Sequence, residues 1–309
     1  VCDGPQRGHL ATERWQRGVN RAECCLIGTD GEGSVGYALR FDGSQPIDLS
    51  EISTLGEPKA DRGDGEKELV DLVQQIGKLQ SLLYAADTNA VLIVLQGMDT
   101  SGKDGVIRTV LDDVDAQGVH VWAFKVPTAE EKAHDFLWRH QLHTPATSII
   151  SVFNRSYYEA VLVEKVKGIA SEAVVESRYP HINDFELLLA QSRTIVLKFF
   201  LYISKEEQAA RLLARQRDIT KSWKLSLGDW QERQSWDEYI EAYQTALAAT
   251  ATEYAPWYVV PSDRKWYRNL AVAQVIAETL EPYREQWLTD LRERGDRELN
   301  ILRQAGYAR

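Results

Sequence analysis

Residues 90–105 read AVLIVLQGMDTSGKDG. Six apolar residues, half of them β-branched, lead straight into a glycine-bearing loop. Such a run suits a strand buried on both faces, as in a parallel sheet. Beyond it, Gly97, Gly102 and Lys103 stand at the G-x-x-x-x-G-K spacing of a phosphate-binding loop. At average composition that spacing arises in about one chain in ten of this length, so the strand before it and the helix after it carry the reading. Gly97, Thr100, Ser101, Gly102, Asp104 and Gly105 form the candidate cradle, with the N–H groups of residues 98–104 and a helix dipole favouring an anion. Lys103 would reach a phosphoryl oxygen as a point charge. The loop departs from the pattern twice. Asp104 stands where a Ser or Thr normally helps hold Mg²⁺, and a further carboxylate, Asp99, lies inside the loop. Asp104 falls in the first helical turn, where a carboxylate is favoured without any catalytic role. Asp99 is the candidate replacement for the missing hydroxyl, because phosphoryl transfer needs metal to neutralise charge on the moving group.

Working outward, similar apolar runs recur at 119–124, 148–153, 194–203 and 257–260. Helical periodicity lies between them, at 66–85, 104–113, 129–142, 155–168, 183–192, 205–217, 230–254 and 266–294. Strands alternating with helices predict an α/β fold with a parallel sheet covered on both faces. Ligands of such sheets sit at the carboxyl ends of the strands. The run 148–153 ends in Asn154-Arg155-Ser156-Tyr157-Tyr158-Glu159. Asn154 stands where an acidic metal partner is usual, and coordinates through oxygen without a charge. The Arg155 fork suits phosphate oxygens. Glu159 reads equally as a second metal contact or as a favourable N-terminal charge.

The bulk numbers narrow the function classes. The 309 residues carry a net charge of −10, are 44% hydrophobic and 27% charged, and suit one large domain or two small ones. The acidic balance argues against a general nucleic-acid binder. No apolar run reaches 18 residues, so no membrane span is expected, and no secretory signal is visible. The cysteines Cys2, Cys24 and Cys25 are odd in number and lack histidines at ligand spacing. They point to a reducing cytoplasm, with neither a disulfide framework nor a zinc site. An anionic substrate then needs a local basic patch. One lies between Arg211 and Lys224, where Arg211, Arg215, Arg217, Lys221 and Lys224 face a single acid, Asp218. Arg211 and Arg215 share a helix face, and Arg217, Lys221 and Lys224 would share another if the helix continued. A solvated face is the ordinary reading of such a run. Beside a phosphate loop, a phosphate-binding lid is preferred.

Taken together, LQGMDTSGKDGVIRTVL, QGVHVWAFKVPTAEEKAHDFLWR, FNRSYYEAVLVEKV, RYPHINDFE, LKFFLYISKEEQAARLLAR, KSWKLSLGDWQER, WDEYIEAY and APWYVVPSDRKWYRN resemble the polyphosphate kinases of the second type. The resemblance spans roughly 66–285, more weakly 37–65, and leaves out 1–36. It implies a thymidylate-kinase-like P-loop kinase, a three-layer α/β/α fold with a parallel sheet and a helical lid at about 205–235. Residues 1–65 would be a weakly patterned extension, 66–295 the phosphotransferase domain and 296–309 a tail. The implied reaction is phosphoryl transfer between inorganic polyphosphate and purine nucleotides with Mg²⁺, or alternatively Mn²⁺. The catalytic roles fall on Asp99, Lys103, Arg155 and Arg215, and homodimers or homotetramers are implied. Asn154 replaces the common Asp and resembles the subgroup acting on both mono- and diphosphates, which leaves the number of metals open. Lys125, after the second strand, would guide polyphosphate or acceptor. Trp223, Trp230 and Trp236 read as packing residues. The acceptor phosphate is mostly ionised at neutral pH and needs no base, so His134, His140 and His181 read as structural. An ATP-dependent nucleoside monophosphate kinase is the nearest rival; a non-catalytic nucleotide switch and a structural protein with a fossil loop are the others.

Overall fold

A computed structural model describes residues 36–57 and 61–307. Among them, six strands form one sheet: β1 (Leu39–Phe41), β2 (Ala90–Gln96), β3 (Val119–Ala123), β4 (Ile150–Asn154), β5 (Thr194–Tyr202) and β6 (Trp257–Pro261). Their order is β1-β6-β5-β2-β4-β3. Every pairing is parallel except that of β1 with β6. The five runs read from sequence all form strands. β1 is a three-residue edge strand, too short to show a period. In chain order the helices are α1 (Arg62–Ala86), α2 (Lys103–Val110), α3 (Ala129–Ala133), α4 (Trp138–Gln141), α5 (Val163–Val166), α6 (Glu172–Gln191), α7 (Lys205–Arg217), α8 (Leu227–Glu232), α9 (Trp236–Thr250), α10 (Lys265–Leu280) and α11 (Arg284–Gln304).

The strand period divides the core. Val91, Ile93 and Leu95 of β2 enter one apolar cluster, with residues of α1, α2 and α10. Leu92 and Val94 enter the other, with α6 and α9. β5 repeats the division: Leu197, Phe199 and Leu201 on one side, Val196 and Phe200 on the other. Both faces are covered, which explains the unbroken apolar runs. β2 lies centrally between β4 and β5, with Leu95 beside Asn154 and Phe199. The loop after β2 therefore opens where the chain turns to opposite sides of the sheet, the place such folds use for ligands.

Five helical readings change. The stretch 155–168 is not one helix: Arg155 takes a positive φ, and the Ser156 side chain accepts from Tyr158 N and starts a tighter turn in which Tyr157 and Tyr158 are both buried. It becomes a 3₁₀ turn, Tyr157–Ala160, followed by α5. The stretch 129–142 breaks at His134, because Asp135 caps the N–H groups of Leu137 and Trp138. α6 begins at Glu172, ahead of the 183 read from sequence, and carries Pro180 within it. The stretch 230–254 divides at the 3₁₀ turn Arg233–Ser235 into α8 and α9, and 266–294 divides at Glu281–Tyr283 into α10 and α11. α7 spans Lys205–Arg217 as read, after which Asp218 takes extended backbone and Ile219–Lys224 form a 3₁₀ stretch. Arg217, Lys221 and Lys224 therefore do not share one continuous helix face.

Candidate active site

The strand–loop–helix read from sequence is present, with α2 beginning at Lys103. Gly97 and Gly102 take φ angles of 151° and 109°, a region that favours glycine. A Cβ on Gly102 would also collide with the Arg268 guanidinium. Two arginines hold the loop's carbonyls. Arg211 Nη1 donates to Thr100 O at 2.9 Å and Ser101 O at 3.1 Å, and Arg268 Nη1 donates to Ser101 O at 3.1 Å. Fixing those carbonyls fixes the peptide planes, and so the direction of the loop's N–H groups. Arg211 also donates to Ser262 O, Asp263 O and the Glu207 carboxylate. Sequence reasoning placed Arg211 as a phosphate contact; the structure puts its guanidinium on five protein acceptors. Burial, then Arg211, pushes the Arg268 pKa down to about 10. Arg268 was missed, although it lies in the quoted stretch following β6.

Lys103 is buried within this loop, its ammonium donating to Gly97 O at 2.6 Å and Met98 O at 3.4 Å. Burial, helped by Arg155, lowers its pKa to about 8; Asp99, Glu159 and Asp104 oppose the shift. Arg155 follows β4 with φ 63°, in the left-handed region. It donates to Asp99 Oδ1 at 2.6 Å and lies 3.6 Å from Glu159. Burial disfavours the charge on Asp99, but Arg155 and Lys103 more than offset it and hold the carboxyl below its ordinary value. For Glu159 burial wins over Arg155 and Lys103, and the pKa is raised. Asn154 Nδ2 donates to Asp104 Oδ1 at 2.8 Å, which turns the amide oxygen to the other side of that group. Arg215, on α7, donates to Asp229 of α8 at 2.9 Å. A cavity of about 540 Å³ is lined by Asp99, Thr100, Gly102, Lys103, Asp104, Gly105, Lys125, Asn154, Arg155, Arg211 and Arg215, whereas Gly97, Ser101 and Glu159 lie outside its lining. Arg108 and Lys265 join them without having been singled out in the sequence. Lys265 opens α10 just past the carboxyl end of β6, a position that could have flagged it.

Other expectations resolve more simply. Lys221 and Lys224 lie in the 3₁₀ stretch after α7, and their side chains are outside the described residues, as are the three cysteines. Trp236 belongs to the core, whereas Trp223 is 77% exposed. His140 is buried, with Nδ1 3.2 Å from Phe136 O. Burial, then Arg139, drives its pKa down to about 3, so it stays neutral. No helix among the described residues is long and apolar enough to cross a membrane. Nor does any group of three or more His, Cys, Asp or Glu among them form a ready metal cage. The oxygens of Asp99, Asn154 and Glu159 are nonetheless the hard donors that suit Mg²⁺, which commonly takes one or two carboxylates and completes its shell with water and substrate phosphate.

This arrangement can bind a chain of phosphates and neutralise charge on a transferring phosphoryl group. Comparison with known proteins points the same way. An AMP/ADP-polyphosphate phosphotransferase of Meiothermus ruber is 49% identical over 213 residues, covering 69% of this chain and 80% of that one. An ADP-polyphosphate phosphotransferase of Rhodopseudomonas palustris is 43% identical over 256 residues, covering 79% and 89%. Among solved structures, a polyphosphate kinase 2 from Arthrobacter aurescens TC1 aligns with a TM-score of 0.74 at 43% identity, over 76% of this chain and 86% of that one. The model of the family described as Polyphosphate kinase 2 matches residues 59–287, which take in the loop, the Arg155 turn, the lid helices and both loop-holding arginines, and the chain belongs to that family.

Proposed function

We propose that this protein transfers phosphoryl groups from inorganic polyphosphate to purine nucleotides, accepting both mono- and diphosphates, with Mg²⁺ or alternatively Mn²⁺. Transfer between polyphosphate and nucleotides follows from the family and from relatives named as AMP- and ADP-polyphosphate phosphotransferases. The ATP-dependent rival is not favoured by them. The observation that carries the residue assignment is the convergence of Lys103, Arg155 and Arg215 on one cavity beside Asp99.

An oxygen of the nucleotide's terminal phosphate attacks the terminal phosphorus of the polyphosphate. The anhydride bond breaks, and the shortened chain leaves with the bridging oxygen. The attacking phosphate is already anionic near neutral pH, so no protein base is required. What opposes reaction is repulsion between two polyanions, and fixed cations reduce it without reorganising. Lys103 and Arg155 neutralise the phosphates from the loop and the β4 end. Arg215 approaches from α7, and the lid formed by α7 and α8 excludes water that would hydrolyse the donor. Lys125 and the loop residues Gly97, Thr100, Ser101, Gly102 and Gly105 orient the chains. Lys221 and Lys224 remain substrate-binding candidates from the sequence alone. Bound Mg²⁺ would neutralise negative charge on the phosphates, and Asp99, Asn154 and Glu159 would hold it. Assembly into dimers or tetramers belongs to the same reading.

The test is a chromatographic assay of purified protein with Mg²⁺, long-chain polyphosphate and AMP or ADP. ADP and ATP should form, and Lys103→Ala should reduce the rate by about 10²-fold or more, the scale of losing one electrostatic stabiliser. A near-normal Lys103→Ala rate would remove the loop assignment. Product formed only when ATP replaces polyphosphate as donor to AMP would move the protein to the rival class.

A further inference from the structure

Beneath the Arg155 turn lies a buried ion pair that phosphoryl transfer does not call for. Lys198 sits in the middle of β5, and Glu186 faces it from α6; both side chains are fully buried, 2.6 Å apart. Three further bonds of the pair lead to the Arg155 turn, and a fourth to the end of α9. Glu186 Oε1 accepts from the hydroxyls of Tyr157 at 2.7 Å and Tyr158 at 2.8 Å. Lys198 donates to the Tyr158 hydroxyl at 3.0 Å and to Thr250 O at 2.7 Å. The Thr250 hydroxyl completes the cluster, 3.0 Å from the Tyr158 hydroxyl and accepting from Trp257 Nε1 at 2.9 Å.

Stability alone does not account for this arrangement. A buried pair replaced by well-packed apolar residues is often neutral or more stable, because desolvating two charges is expensive. The β5 side chains on the same face, Val196 and Phe200, are apolar, so an apolar residue suits the site. What the network does fix is the backbone two and three residues beyond Arg155. Arg155 is a non-glycine residue in the left-handed region, a conformation that persists only when its surroundings over-determine it. On its N-terminal side Arg155 N donates to Leu95 O at 3.1 Å. On its C-terminal side Ser156 is tied to Gln96, 3.0 Å from its hydroxyl, and the two tyrosine hydroxyls anchor the turn beyond it. Between these ties the guanidinium is aimed at Asp99 and Glu159.

We propose that Glu186 and Lys198 are positioning residues for transfer, acting through Tyr157 and Tyr158 to hold Arg155 in its working geometry. The proposal rests on the reading of Arg155 as a phosphate-neutralising residue, and the experiment separates the two. Tyr157→Phe and the double change Tyr157→Phe/Tyr158→Phe keep both rings and remove only hydroxyls. Each is made in the native protein and in Arg155→Ala, and kcat, KM and melting temperature are measured with polyphosphate and AMP or ADP. In the native background kcat should fall severalfold for the single change and about tenfold to a hundredfold for the double, the scale of an ångström-level misplacement, with the nucleotide KM little changed. In the Arg155→Ala background the same changes should have almost no further effect, since the group they position is gone. The paired replacement Glu186→Leu/Lys198→Met should reproduce the kcat loss while remaining folded.

Losses that multiply in the Arg155→Ala background would show a merely structural network and overturn the proposal. So would a native rate in folded Tyr157→Phe/Tyr158→Phe. If the double change melts below the assay temperature, Tyr157→Phe carries the test, because Tyr158 and Lys198 still satisfy Glu186. A native rate in Arg155→Ala alone would instead sink the reading on which the proposal stands.

Discussion

Lys103 shows how far one residue's chemistry follows from its place in the chain. Its position in the loop was legible from spacing; its burial was not. That burial lowers the pKa to about 8 against about 10.4 in an unfolded chain. Between those values the folded protein binds fewer protons than the unfolded one. This group therefore makes stability rise with pH from about 8 to about 10. Activity runs the other way, because the neutral amine no longer attracts phosphate. We expect kcat/KM, which reports the free enzyme, to fall as pH rises through about 8. The kcat limb should lie at higher pH, since a bound polyanion favours the charged amine. Steady-state profiles from pH 6.5 to 10 check this, and a flat kcat/KM across that range would show that Lys103 is not the titrating charge. Arg268 marks the opposite case. It braces a loop carbonyl from α10, 167 positions along the chain, and no local pattern in KWYRN announces that contact. The same brace explains Gly102, whose missing Cβ makes room for the guanidinium.

At the scale of elements, strands were easier to read than helices. The sheet is covered on both sides, so its strands appear as apolar runs such as AVLIVL and TIVLKFFLYI. Helices broke where local contacts overrode the period: the Ser156 cap before the buried Tyr157 and Tyr158, the capping Asp135, and the 3₁₀ turns at Arg233–Ser235 and Glu281–Tyr283. Within TIVLKFFLYI the lysine gave no sign of its partner, because Glu186 reaches it from another element. α7 carries the clearest energetic consequence. Arg211 was read as a lid cation, yet it ties α7 to the phosphate loop and to the segment after β6 through Thr100, Ser101, Ser262 and Asp263. Removing it strands several carbonyls that had a charged donor. Arg211→Met should therefore destabilise the ligand-free protein by about 2–5 kcal/mol. Urea unfolding without substrate measures this. A variant with unchanged stability but a raised KM for polyphosphate would favour the phosphate-ligand reading.

The whole molecule reconciles an acidic protein with an acidic substrate. A net charge of −10 repels a polyanion at long range, whereas the cavity gathers Lys103, Arg108, Lys125, Arg155, Arg211, Arg215 and Lys265 against Asp99 and Asp104. The sequence showed the acidic total and one basic run in the lid. It could not show that cations from α2, β4, α7 and α10 meet, because only the sheet's parallel order brings those carboxyl-end loops together. A cleft lined by one sign of charge concentrates its field and raises local substrate concentration. Raising ionic strength from about 0.1 M to 1 M shortens the Debye length from about 10 Å to 3 Å and screens the exposed rim, while partly buried pairs such as Arg155–Asp99 are screened less. The KM for long-chain polyphosphate should then rise by about fivefold or more while kcat changes little, because the catalytic cations lie deeper than the rim. A polyphosphate titration at several salt concentrations, with Mg²⁺ held constant, measures this. A KM indifferent to salt would mean that the chain is captured by short-range contacts alone, and that Arg108, Lys125 and Lys265 do not steer it.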